Sequence, residues 1–311
     1  MTLTQLSYIV AVEKYRHFAT AAEKSYVTQP TLSMQIHKLE DELGVILFDR
    51  SKTPVIPTAT GEVIVEKAKI ILRDAKTIQD LANNHGDELR GTFRIGVIPT
   101  IAPYLVPMFL HDFIGKYPQI EIIFEEALTK EILNDLSNDS IDVGIIATPV
   151  EEKQIYTEDL FTEPFVGYLS ASHPLLSRKK LSLDDLHRSD LWLLDEGHCF
   201  RDQAVKICKE AENADKPMPI RFESGNLETL KKLVEQDFGM TLLPWLAIQN
   251  MNDDQMEKTI REFETPTPSR KIRLAFSRKY LKENMIEALK NEINSSIPES
   301  LLIPKNKMVI E

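Results

Sequence analysis

One run of residues divides the chain. Ile64, Ala68, Ile71, Ala75, Ile78 and Ala82 recur at spacings of four, three, four, three and four. Apolar side chains at that period line one stripe of a long helix, and a stripe kept up over successive heptads is a coiled-coil seam. The spacing predicts a single helix over Thr58–Leu89, with His85-Gly86 as a break before the next domain. Two uses fit the pattern. The helix folds back on its own domain as an amphipathic element, or it pairs with a second copy. Alanine at every second seam position lets two backbones approach closely, which favours pairing.

Before the seam the period is helical throughout. Thr2–Tyr15 carries Leu3, Leu6, Ile9, Val10 and Val12, and Phe18–Ser25 is short and alanine-rich. Thr28 suits an N-cap and Pro30 fits the first turn that follows. That third helix runs to about Leu43, where Gly44 is a natural stop. Leu32, Ile36, Leu39 and Leu43 form its apolar face; Gln29, Thr31, Ser33, Met34, Gln35 and Lys38 form the other. Val45–Pro57 reads as two short strands with a polar tip. A winged helix-turn-helix fits this, and so does a plain helical bundle with a solvated face. In the first reading, glutamine reads adenine edges and Ser, Thr and Met touch base edges, while Lys38, Arg50 and Lys52 contact phosphates.

Beyond Leu89 strand and helix patterns alternate. Thr92–Ile98, Ile120–Glu126 and Ile141–Ala147 read as strands, with helices at Pro103–Lys116 and Thr129–Ser137. A second set follows: strands at Phe165–Ser170, Leu191–Leu194, Ile220–Glu223 and Met240–Leu243, and helices near Arg201–Glu212 and Asn226–Gln236. The chain returns with a strand at Lys271–Phe276 and a helix near Leu281–Ser295. Two α/β lobes with crossing connections result, and such folds bind ligands where strand ends meet helix N-termini.

Cys199 and Cys208 are the only two cysteines, nine positions apart in Asp195–Cys208, DEGHCFRDQAVKIC. The common role of a free cysteine is a small core residue. Here His198 and Arg201 flank the first one, and both can favour the nucleophilic thiolate. Without a signal peptide or membrane-spanning run, the chain is expected in the cytoplasm, where a disulfide is transient. A helical Arg201–Cys208 hardly survives closure of so short a ring, so a bond between the two would act as a switch.

Net charge is −11, which argues against nonspecific coating of nucleic acid. Residues 1–60 hold six basic and six acidic side chains, so the whole excess lies in the later residues. A neutral head on an acidic body permits a small local DNA surface.

Two resemblances sharpen these readings. From Ala21 to Arg50, AAEKSYVTQPTLSMQIHKLEDELGVILFDR resembles the DNA-binding signature of the LysR-type transcriptional regulators, and Thr58–Gly61 resembles the start of their linker helix. The run GHCFRDQ (Gly197–Gln203), with a second cysteine nine positions after the first, resembles the sensor loop of peroxide-sensing regulators. The fold implied is α/β: a winged helix-turn-helix over 1–57, a linker helix over 58–88 and a two-lobed, periplasmic-binding-protein-like regulatory domain over 89–311. The lobes are expected at 89–162 with 266–300, and at 163–265.

The resemblance implies a homodimer, or a homotetramer, on a partly palindromic double-stranded DNA operator, working with RNA polymerase and not with a membrane. It also implies that hydrogen peroxide oxidises Cys199, which then bonds Cys208, in a pocket lined by Thr100, Thr129 and His198. Arg201, Asp202 and Arg270 are further expected neighbours. From the residues alone, each threonine is equally an N-cap, and His198 with Asp202 a surface pair. No metal site or cofactor loop is legible. Control by a small anionic effector between the lobes is the alternative. A thiol peroxidase is a weaker one, since C-x-x-C is lacking and an enzyme needs no DNA-binding head.

Overall fold

Capping residues set the first three helices. The computed structural model describes residues 1–83, 89–186, 190–208, 225–277, 279–303 and 306–311, which form two compact units, Met1–Asp87 and Glu88–Glu311. In the first, Thr2 and Gln5 form a capping box on α1 (Leu3–Tyr15). After α2 (Phe18–Lys24), the Thr28 hydroxyl accepts from the Thr31 amide at the start of α3 (Gln29–Leu43), and Gly44 closes α3 at φ 69°. Leu6, Ile9, Val12, Ala21, Ala22, Leu32, Ile36 and Leu39 form the core. Strands β1 (Phe48–Asp49) and β2 (Ile56–Pro57) pair antiparallel as the wing, and α4 (Ala59–Asn83) follows.

The predicted seam of α4 is split. Val65 and Ala68 are each 1% exposed, and with Ile64 they belong to the core of their own unit. A Cβ on Gly61 would lie 2.0 Å from the Leu47 carbonyl oxygen, so glycine lets α4 dock there. Ala75 is half-buried, while Ile71 and Ile78 are exposed, as is Val63. Ala68 is therefore not a seam residue, and Ile64 is only partly available. The physical reason is that three short helices leave α1 uncovered, and the first turns of α4 cover it. The side chain of Ala82 and the break at His85-Gly86 lie outside the described residues.

In the second unit the chain lays down β3 (Gly91–Val97), α5 (Ala102–Lys116), β4 (Ile120–Glu126), α6 (Thr129–Ser137) and β5 (Val143–Ile146), with β3 parallel to both β4 and β5. Then comes β6 (Tyr156–Leu169), twice as long as expected. Its first nine residues, 156–164, carry Glu158, Asp159, Glu163 and Pro164, which hide the strand period in sequence. That stretch pairs antiparallel with β10, and the remainder with β8 and β9.

The remaining elements are β7 (Leu191–Trp192), α7 (Cys199–Cys208), α8 (Leu227–Glu235), β8 (Met240–Pro244), α9 (Asp253–Thr259), β9 (Ile260–Glu262), β10 (Thr267–Phe276), α10 (Lys279–Ser296), α11 (Glu299–Leu302) and β11 (Lys307–Val309). The strand order is β4-β3-β5-β10-β6-β8-β7. Two cores flank the β6–β10 crossover. One gathers Phe93, Phe109, Phe113, Ile145 and Leu289; the other gathers Phe165, Trp192, Leu230 and Leu242. The strand expected at Ile220–Glu223 and the helix expected after Cys208 lie outside the described residues.

Candidate functional site

The crossover of the two lobes centres on Arg270. It stands opposite Glu163 in the β10–β6 register, and both are fully buried. Its Nε donates to Glu163 Oε2 at 2.8 Å, Nη1 to Thr100 Oγ1 at 2.8 Å and Nη2 to the Thr100 carbonyl at 3.0 Å. The other Glu163 oxygen accepts from the Leu246 amide at 2.8 Å. The guanidinium also lies 5.3 Å from the centre of the Phe200 ring. A buried charge pair is tolerated only when its hydrogen bonds are satisfied in this way.

Cys199 opens helix α7; it does not sit in a preceding loop. Its side chain is 8% exposed and packs with the first lobe's core, whereas that of Phe200 packs with the second's. Burial pushes the Cys199 thiol up, because a thiolate is poorly solvated there. Arg270, the Thr129 hydroxyl and the Phe200 amide pull the other way, and Asp202 adds to the rise. Thr129 opens α6 beside the thiol, and its buried Oγ1 completes no directed hydrogen bond. Cys199, Thr129, Lys130, Asn134, Thr148, Gly197 and Asp202 line a cleft of ≈ 500 Å³. Two helix N-termini, each a region of positive potential, thus open onto one cleft.

The expected source of positive charge is corrected. His198 is buried, and desolvation lowers its pKa, which disfavours its charged form. Its ring faces Gly225, where an added Cβ would lie 2.9 Å from Nε2. Arg201 is drawn toward Glu196, 3.7 Å away. The cation acting on the thiol is Arg270, brought in by strand pairing. Glu163, its partner, was missed, since a lone glutamate before a proline carries no sequence signal. Gln203, 1% exposed, donates to the Ala147 carbonyl at 2.7 Å. The side chain of Cys208 lies outside the described residues.

In the head, Thr28, Gln29, Pro30, Met34 and Lys38 are exposed along the start and outer face of α3, and Thr31 is half-buried. Ser33 and Gln35 are tied inward: Ser33 accepts from Arg50 Nη1 at 3.4 Å, and Gln35 Oε1 accepts from Gln5 at 3.3 Å. Arg50, 39% exposed, is also held within the head. It bonds Glu40 at 2.8 Å and lies over the Phe18 ring, so it fastens the wing to the helices. Lys52 is exposed in the loop between the wing strands.

Among the described residues no helix is long and apolar enough to cross a membrane, and no group of three or more His, Cys, Asp or Glu could hold a metal.

Comparison with known proteins extends these observations. Residues 3–62 match the bacterial regulatory helix-turn-helix protein, lysR family, and residues 86–296 match the LysR substrate binding domain. The hydrogen peroxide-inducible genes activator of Haemophilus influenzae is 36% identical over 276 residues, covering 89% of this chain and 90% of that protein. The DNA-binding transcriptional dual regulator OxyR of Escherichia coli (strain K12) is 38% identical over 248 residues, 80% of each. Among solved structures, a full-length OxyR variant from Pseudomonas aeruginosa matches with a TM-score of 0.76 and 35% identity, covering 96% of this chain and 99% of that one. The chain belongs to the LysR family of DNA-binding transcription regulators.

Proposed function

We propose that the protein is a peroxide-responsive transcription regulator switched by oxidation of Cys199. The observation that carries this reading is the setting of that thiol. It lies at the junction of two lobes, beside the buried Thr129 hydroxyl, within reach of the charge of Arg270 and at the mouth of a cleft. The curated relatives named as peroxide-inducible activators and the OxyR structures support the same reading.

The chemistry follows from the groups present. The Cys199 sulfur attacks one peroxide oxygen and the O–O bond breaks. The thiol proton leaves with the other oxygen, giving a sulfenic acid and water. Hydrogen-bond donors beside the leaving oxygen stabilise its charge, a role suited to the Thr129 hydroxyl. Cys208 then displaces the sulfenic hydroxyl as a second water, which forms the disulfide. Nine helical residues rise about 13.5 Å, whereas bridged Cα atoms lie about 4.4–6.8 Å apart. Helix α7 therefore unwinds when the ring closes, and the lobes it joins are repacked.

The regulator works in the cytoplasm as a homodimer or homotetramer. Residues 1–57 hold DNA, 58–88 join two copies, and 89–311 sense the oxidant. Paired recognition helices read two half-sites of a partly palindromic operator, with RNA polymerase as the downstream partner. The test is Cys199→Ser, which should keep DNA binding and lose the change of footprint on adding peroxide. A variant that still changes its footprint overturns the reading.

A further inference from the structure

The segment Lys307–Glu311 has no part in the chemistry above, yet it is bound to the sensing helix. Its strand β11 pairs in parallel with β10 at Thr267, Pro268 and Ser269, the three residues before Arg270. The Ile310 amide donates to the Ser269 carbonyl at 2.8 Å. Two side chains of α7 then reach the same segment. Gln203 Nε2 donates to the Ile310 carbonyl at 3.3 Å, and Lys206 Nζ donates to the Glu311 carbonyl. From the sheet, Arg273 Nη2 holds the Glu311 carboxylate at 2.5 Å. Lys307 is half-buried, and its ammonium donates to the Thr162 carbonyl at 2.8 Å.

Both α7 anchors, Gln203 and Lys206, lie inside the ring that a Cys199–Cys208 bond would close. Gln203 is four residues after Cys199, on the same helical face. It also bonds the Ala147 carbonyl, so one amide clasps the first lobe, the sensing helix and the segment together. These contacts need α7 to be helical. No sequence pattern announces them, since a segment of five residues is too short to show a period of its own.

We propose that Lys307–Glu311 is a redox-released strap, which favours the helical, reduced form of α7 and lets go when the disulfide forms. The proposal rests on the peroxide reading, in which two thiols lose two hydrogens while one hydrogen peroxide becomes two waters. Release uncovers the edge of β10 beside Arg270 and removes the Glu311 carboxylate from Arg273. It thereby carries the state of the cysteines to the crossover strands. Linkage makes the effect reciprocal: a segment that binds the reduced form better must make oxidation harder, and removing it must make oxidation easier.

The test uses the full chain, reduced and then treated with hydrogen peroxide, with mass spectrometry reporting the Cys199–Cys208 linkage. Backbone hydrogen exchange at residues 307–310 should speed up by about tenfold or more on oxidation. Deletion of Met308–Glu311 should shift the midpoint in glutathione buffers toward oxidation by about fivefold in the equilibrium constant. Lys206→Ala, at an exposed position, should shift it the same way by less, which guards against damage from the deletion. A disulfide that forms with exchange unchanged at 307–310, or a midpoint unmoved in both variants, overturns the strap and leaves the peroxide reading standing. If no disulfide forms, both fall.

Discussion

Arg270 and Glu163 face each other across β10 and β6 as a fully buried ion pair, at the point where the chain passes between lobes. Neither side chain touches solvent, and the guanidinium is shared among Glu163, Thr100 and the Phe200 ring. Replacing Arg270 by alanine leaves a buried carboxylate without its cation, which costs about 3–5 kcal/mol. Replacing both residues by methionine should cost less than the single change. Urea unfolding of the three proteins checks the order, and a double variant less stable than Arg270→Ala contradicts it.

The same geometry sets the pH dependence of oxidation. Burial raises the Cys199 pKa, so the protonated thiol is the resting form at neutral pH, and the reactive thiolate grows as pH rises. In Cys208→Ser, which isolates the first step, the rate with peroxide should climb about tenfold per pH unit until the thiol titrates. His198, whose pKa burial lowers, should add no step on the alkaline side of neutrality. Stopped-flow rates that level off well below the ordinary thiol value of about 8.5 contradict this.

Lys52 and Gln29 separate affinity from sequence reading. Lys52→Ala should weaken all DNA alike and lower the salt slope by about one. Gln29→Ala should cost about 1–3 kcal/mol on the operator alone. Binding titrations at several salt concentrations on specific and random duplexes check both. A Lys52 effect confined to one sequence argues against a phosphate contact.

The split face of α4 gives opposite outcomes along one helix. Ala68→Asp puts a charge in the core of the head and should unfold it, by well over about 3 kcal/mol. Ile78→Asp, at an exposed position, should leave the head folded and weaken self-association. Thermal melting and sedimentation distinguish them, and a dimer unaffected by Ile78→Asp removes this stripe from the interface.

Much of the fold was legible because it is written locally. Thr28, Pro30 and Gly44 bound a helix through contacts within one turn of it, and the strands β3 and β4 announce themselves by apolar runs. The first half of β6 was not legible. Its acidic residues face partners on β10 and neighbouring lysines and arginines: Asp159 pairs with Lys271 and Arg273, Glu158 with Lys290. A strand whose charges are neutralised by remote residues has no period of its own to read. The bond from Arg50 to Glu40 was not legible for a like reason, because Glu40 lies on another element.

The chain by itself determined its helices, its caps, the winged head, the alternation of strand and helix and the spacing of its two cysteines. These depend on periods of 3.6 and 2 and on neighbours a few residues apart. Tertiary structure alone decided which charge faces Cys199, how deeply that thiol is buried, and which face of α4 the head consumes. Electrostatic energy and desolvation depend on distance in space, and strand pairing brings Arg270 to Cys199 from a part of the chain that no local pattern links to it.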